Sequence, residues 1–76
     1  MTADSKKIIK NKRLKITDIL ASDAIRNRLF QAGFIPGTLI SLINQMPFSG
    51  ALTFKLRGTK FALRNEDAAC LRVEYA

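Results

Sequence analysis

Histidine is absent from this chain and cysteine occurs once, so the usual proton-transfer group and the softer metal ligands are scarce. Without an imidazole, none of Ser22, Ser41 and Ser49 has a histidine base to activate it. Cys70 cannot form an internal disulfide; its setting in AACLRV is that of a buried structural thiol, and a single cysteine fits a reducing compartment. Tryptophan is missing, and there are two prolines and four glycines. No apolar run approaches the roughly 18 residues of a membrane span, and only Ile8-Ile9 interrupts the lysines where a signal peptide needs a longer apolar stretch. These absences argue against catalysis and against membrane insertion. The six carboxylates are scattered, and the adjacent Glu66 and Asp67 point in different directions on a helix. No catalytic residue, no cofactor and no metal ligand set is expected.

Positive charge is plentiful. Thirteen basic against six acidic residues give a net +7. Six of the cations (Lys6, Lys7, Lys10, Lys12, Arg13 and Lys15) fall in the first fifteen residues, opposed only by Asp4. Residues 1–12 therefore read as a flexible basic arm, and residues 13–76 as the folded domain. The apolar share of 47% is enough for one small core.

Leu14 and Ile16 alternate with Lys15 and Thr17, a strand pattern. Ser22 or Asp23 can cap a helix in which Ile25, Leu29 and Ala32 form the buried stripe, and Gly33 supplies the left-handed stop. Pro36-Gly37 suits the centre of a type II turn. Thr38–Met46 is apolar on both faces through Leu39–Ile43, as in a central or sharply curved strand. Pro47-Phe48-Ser49-Gly50 reads as a second tight turn. Leu52, Phe54 and Leu56 alternate cleanly, and Gly58-Thr59 reads as a II′ hairpin loop leading to Phe61 and Leu63. Asn65 caps a short helical turn through Asp67–Ala69, and Leu71, Val73 and Tyr75 form a last strand. The expected fold is mainly β: a small five-stranded barrel, similar to the SH3-like barrel, with one short helix between the first and second strands.

The run RNRLFQAGFIPGTLISLI, then MPFSG, then FALRNEDAACLRV resembles the FeoA family of ferrous iron transport proteins. The resemblance rests on Arg26, Arg28, Leu29, Gly33, Pro36, Gly37 and Ile40, on Pro47 and Gly50, and on Leu63, Arg64, Ala68, Leu71 and Val73. It covers about residues 14 to 75. Ala51 stands where family members often have proline, and the basic first strand where they often have glycine. The resemblance implies a non-enzymatic cytoplasmic accessory protein of ferrous iron uptake. It would bind the cytosolic GTP-binding domain of a FeoB-type membrane iron transporter and modulate its assembly or nucleotide cycle. It would thereby sit at the inner face of the membrane, with the basic arm as a further membrane-surface contact. The same module also ends iron-dependent repressors, but no helix-turn-helix accompanies it here.

Two sets of residues are candidates for partner binding. Phe30 lies about 100° around the helix from Leu29, and with either Phe34 beyond the stop or Phe48 beside Pro47 it makes an apolar docking surface; taken singly, Phe34 and Phe48 each read as plugs of the barrel ends. With a Gly58-Thr59 loop, Arg57 faces Lys60 and Lys55 faces Ala62, so Lys55, Arg57, Lys60 and Arg64 form either a basic ribbon for an acidic surface or lipid headgroups, or a solvated outer face that deters edge aggregation. The alternative to a transporter accessory is a basic SH3-like module that binds nucleic acid or a ribonucleoprotein. Against it, Phe54 and Phe61 alternate onto the core side, which leaves that ribbon without a stacking platform. A third reading, an iron-responsive regulatory fragment, requires ferrous binding by the chain itself.

Overall fold

The computed structural model describes residues 1–46 and 50–76. The elements run β1 (Arg13–Ile19), α1 (Asp23–Ala32), β2 (Leu39–Met46), β3 (Ala51–Leu56), β4 (Thr59–Arg64), α2 (Asn65–Ala68) and β5 (Leu71–Tyr75). All pairings are antiparallel, in the order β4-β3-β2-β1-β5. The class and the order of elements are those expected, with the helix between the first two strands. Closure is not complete: no ladder joins β4 to β5 among the described residues, and α2 carries the chain between those two edges.

One face of the curved sheet holds the core. Leu14, Ile16, Ile40, Leu42, Leu52, Phe54, Leu56, Leu71 and Val73 are all at 2% exposure or less. Strict alternation would send Ile19 outward, three residues after Ile16. A bulge between Ile16 and Asp18 restores it to the inside. A second bulge between Leu42 and Asn44 interrupts β2 at Ile43. The stretch that is apolar on both faces is thus a sharply curved strand, and its outward member Leu39 remains 45% exposed.

The Ser22 hydroxyl accepts from the Ile25 amide at 3.5 Å and starts α1. At the other end the Gly33 amide donates to the Phe30 carbonyl and the Phe34 amide to the Leu29 carbonyl, both at 2.9 Å. With Gly33 at φ 102°, this is a Schellman stop. It turns the chain so that Phe34 enters the core. The next turn also has the expected form: the Thr38 amide donates to the Ile35 carbonyl at 3.0 Å, around Pro36 and Gly37.

Three local expectations are corrected. Residues 1–12 do not project as a free arm. Ala3 and Ile8 are buried, at 1% and 8% exposure, and belong to the core cluster. The Ala3 amide donates to the Leu71 carbonyl and the Val73 amide to the Met1 carbonyl, which adds the N-terminus to the β5 edge. The Tyr75 hydroxyl ties down the next residues, accepting from the Ile9 amide and donating to the Lys7 carbonyl. Two widely spaced apolar residues anchor the segment without periodicity, because the sheet edge supplies the hydrogen bonds.

The hairpin loop is Arg57-Gly58, not Gly58-Thr59. Leu56 pairs with Thr59, and Arg57 and Gly58 have φ of 52° and 80°, the type I′ form. Both registers keep the apolar residues on one face. The observed one also sets Leu52 against Leu63 and Phe54 against Phe61, where the other would set Leu52 against Asn65. Finally, Arg64 rather than Asn65 precedes the helical turn, with no side-chain cap; the Asn65 amide donates to the Gly50 carbonyl instead.

Candidate docking surface

The expected site residues separate into three groups. Phe30 lies on α1 and is 37% exposed, one residue after the buried Leu29 that packs the helix onto the sheet. Phe34 does not join it. It is fully buried, its ring edge-to-face with Phe54 at 6.3 Å and with Phe61 at 5.8 Å. The Schellman stop reverses the direction of the side chain four residues on, so Phe34 fills the core and is no surface residue. Pro47 and Phe48 lie outside the described residues.

Lys55, Arg57 and Lys60 are all exposed, as the ribbon requires, but their arrangement differs from the expected one. Lys55 directly faces Lys60 across the hairpin, and Arg57 sits at its apex. Following the register inward, Lys55 pairs with Ser41, and Ser41 pairs with Arg13. Directly opposed residues in antiparallel strands share a face, with Cα atoms about 4.5–5.5 Å apart. Arg13, Ser41, Lys55 and Lys60 therefore form one row across four strands on the outer face. By sequence, Arg13 is one of the N-terminal cations and the first residue of the folded domain, and Ser41 has no role. Only the strand register brings them together.

This row borders a groove of about 610 Å³ between the Pro36-Gly37 turn and the hairpin tip. Arg13, Ser41, Lys55 and Arg57 line it, together with the exposed Leu39, and no carboxylate does. A second groove of about 490 Å³ lies between α1, β4 and α2. There Arg28 meets Asp67 at 3.5 Å, so its cation is already partnered. Arg26 likewise reaches Asp23 at 3.9 Å. Arg13, Lys55, Arg57 and Lys60 make no ion pair among the described residues.

Cys70 is half-buried and its thiol contacts the Glu66 carbonyl at 3.3 Å. No group of three His, Cys, Asp or Glu residues placed to hold a metal occurs among the described residues. The geometry offers surfaces for contact: an exposed aromatic on α1 and an uncompensated basic groove on the sheet.

A FeoA domain profile matches residues 7–75, which takes in all five strands and both helices. No curated protein sequence matches the chain. Among solved structures, the chain is similar to iron(II) transport protein A from Clostridium thermocellum, with a TM-score of 0.88 and 21% identity. That match covers 99% of this chain and 45% of the Clostridium chain, so this protein spans less than half of that one's length. FeoA from Stenotrophomonas maltophilia, solved with zinc, is 27% identical at a TM-score of 0.79, covering 97% of this chain and 89% of that one. It is described as a prokaryotic SH3 domain protein and a candidate activating factor of ferrous iron transport. The same fold recurs in the longer ScaR with bound zinc, at 18% identity and a TM-score of 0.85, over 100% of this chain and 37% of that one. The five antiparallel strands with a helix after β1 thus share the SH3-like fold of the FeoA structures, and with the match over nearly its whole length the chain belongs to the FeoA family.

Proposed function

We propose that this protein is a non-enzymatic accessory of ferrous iron uptake that binds the cytosolic side of a FeoB-type transporter and modulates its assembly or nucleotide cycle. The observation that carries this reading is the FeoA match over residues 7–75. The exterior supports it, since the molecule presents contact surfaces, the exposed Phe30 and the basic outer row. No described helix is long and apolar enough to cross a membrane. In this reading the protein acts in the cytoplasm and its partner brings it to the membrane. Lys6, Lys7, Lys10 and Lys12 stay exposed although their backbone is packed down, and they face anionic headgroups, worth about 1 kcal/mol per lysine at the surface.

Phe30 is the apolar docking residue in this reading, because aromatic anchors dominate interface energetics. The test titrates the protein with the purified cytosolic GTP-binding domain of the transporter and repeats it with Phe30→Ala. The substitution is expected to leave the melting temperature nearly unchanged and to weaken binding. A large drop in melting temperature would place Phe30 in the core, and absence of binding by the unaltered protein would remove the transporter reading itself. The basic outer row favours a second reading, nucleic-acid binding. Against it, Phe34, Phe54 and Phe61 are committed to the interior, so no ring among them is available for base stacking. A steep fall in oligonucleotide affinity with salt would be its signature.

A further inference from the structure

We propose that the groove between the Pro36-Gly37 turn and the β3–β4 hairpin tip is a docking site for an acidic, extended polypeptide segment of the partner. This deepens the accessory-protein reading and rests on it.

Charge complementarity selects the occupant. Arg13, Lys55 and Arg57 line the groove and Lys60 extends the row beyond it, with no carboxylate in the lining. Elsewhere on the surface Arg28 meets Asp67 and Arg26 meets Asp23, while Arg64 and Arg72 stand apart from each other and make no ion pair among the described residues. Here the fold places two lysines directly opposite one another, an arrangement that costs stability. Like charges brought together without a counter-charge are relieved by a partner that supplies one.

The polar and apolar details favour a polypeptide over a phosphate. Phosphate sites draw on free backbone amides. The two amides of the turn at this groove are already used: Gly37 donates to the Ile16 carbonyl and Thr38 to the Ile35 carbonyl. The apolar side chain at the groove is Leu39, 45% exposed, an aliphatic surface suited to a side chain and not to a stacked base. Carboxylates two residues apart on an extended strand are about 6.5–7 Å apart. Lys55 and Lys60, one strand apart, are spaced by about 5 Å, and Arg13 and Lys55, two strands apart, by about 10 Å. Long basic side chains bridge that mismatch, so alternate acidic residues can each meet a cation while the residues between them rest on Leu39. The occupied groove would be concave around a single chain, whereas a bilayer would touch only its rim.

The test uses the full chain and a short peptide of alternating Glu and Leu, followed by fluorescence anisotropy at low salt. The double variant Arg13→Glu, Lys55→Glu is compared with Lys10→Glu, Lys12→Glu, which changes net charge equally away from the groove. The groove variant is expected to lose about tenfold or more in peptide affinity, and the control less than about twofold. Melting curves and amide NMR spectra report whether both variants remain folded, and shifts centred on Leu39, Ser41 and Lys55 locate the bound peptide. Equal losses in the two variants, no peptide binding, or tighter binding to a single-stranded oligonucleotide or to phosphatidylglycerol vesicles that the groove variant loses and the control keeps would overturn the proposal. Titration of the transporter's cytosolic domain separates the two readings. Unchanged affinity in the groove variant overturns the groove alone. Groove-dependent peptide binding by a protein that ignores the transporter overturns the accessory reading alone.

Discussion

Along β3, Leu52, Phe54 and Leu56 are buried to 2% exposure or less, whereas Lys55 among them is exposed and faces another lysine. The same alternation therefore serves two different ends. On the inner face each residue is held by neighbours of its own kind, and Phe34, Phe54 and Phe61 form a chain of edge-to-face rings. On the outer face the row Arg13, Ser41, Lys55, Lys60 is held by nothing but the strands beneath it. Stability lives on one face, and the proposed recognition belongs to the other. Substitutions on the inner face should report in the melting temperature. Those on the outer face should report in binding.

Phe34→Ala is expected to have the largest effect. It removes a fully buried ring and two aromatic contacts, a loss of about 3–5 kcal/mol by analogy with other buried aromatics. Urea denaturation would show it as a lower midpoint, and a small change would mean that the ring is not the centre of the core. Gly33→Ala should follow. A Cβ there would come within 2.9 Å of Leu56 Cδ2, and φ of 102° strains any residue but glycine. Strain and contact together are expected to cost about 2 kcal/mol. Ile8→Ala sharpens the comparison further, because by sequence it belongs to the outside. Burial of Ile8 at 8% exposure predicts a loss of about 1–2 kcal/mol, smaller than at the centre of the core because the residue lies at its margin. Thermal denaturation indistinguishable from that of the unaltered protein would return residues 1–12 to the status of a free arm.

Most of the inner face was legible in the sequence, because alternation and helical spacing are direct consequences of burial. Leu14, Ile16, Leu29, Leu52, Phe54 and Leu56 are all where period and face place them. Gly33 and Pro36-Gly37 were legible for a different reason, since their backbone conformations are open to few residues. What escaped was whatever depends on partners distant in the chain. Ala3 and Ile8 carry no period, and only the free edge of β5 explains their burial. Register escaped for the same reason. A shift that preserves parity keeps every apolar residue inside, so alternation cannot choose between Arg57-Gly58 and Gly58-Thr59 as the loop. Three of the basic site residues could thus be named while their geometry could not, and Arg13 and Ser41 were missed because three strand pairings intervene between Arg13 and Lys60. Phe34 stayed open between a barrel plug and a surface neighbour of Phe30, because the glycine stop reveals that a helix ends but not which way the next side chain turns; its burial makes it the plug.

The smallest expected effect is the most discriminating. Lys60 lies directly opposite Lys55, and like charges in that position destabilise a strand pair, so Lys60→Glu should convert repulsion into attraction. The gain is expected to be a few tenths of a kcal/mol, since both side chains are exposed and solvent screens the pair. It should be visible as a small rise in melting temperature at low salt that shrinks as salt is added. If the outer face were merely a solvated surface, a more stable variant would bind its partner as well as before. If the row is kept basic for recognition, the same substitution raises stability and lowers affinity for acidic peptides. Opposite signs in one variant cannot come from partial unfolding, which would lower both. Parallel changes, or a gain in stability with unaltered binding, would reduce the outer row to a surface that only keeps the sheet apart from other sheets.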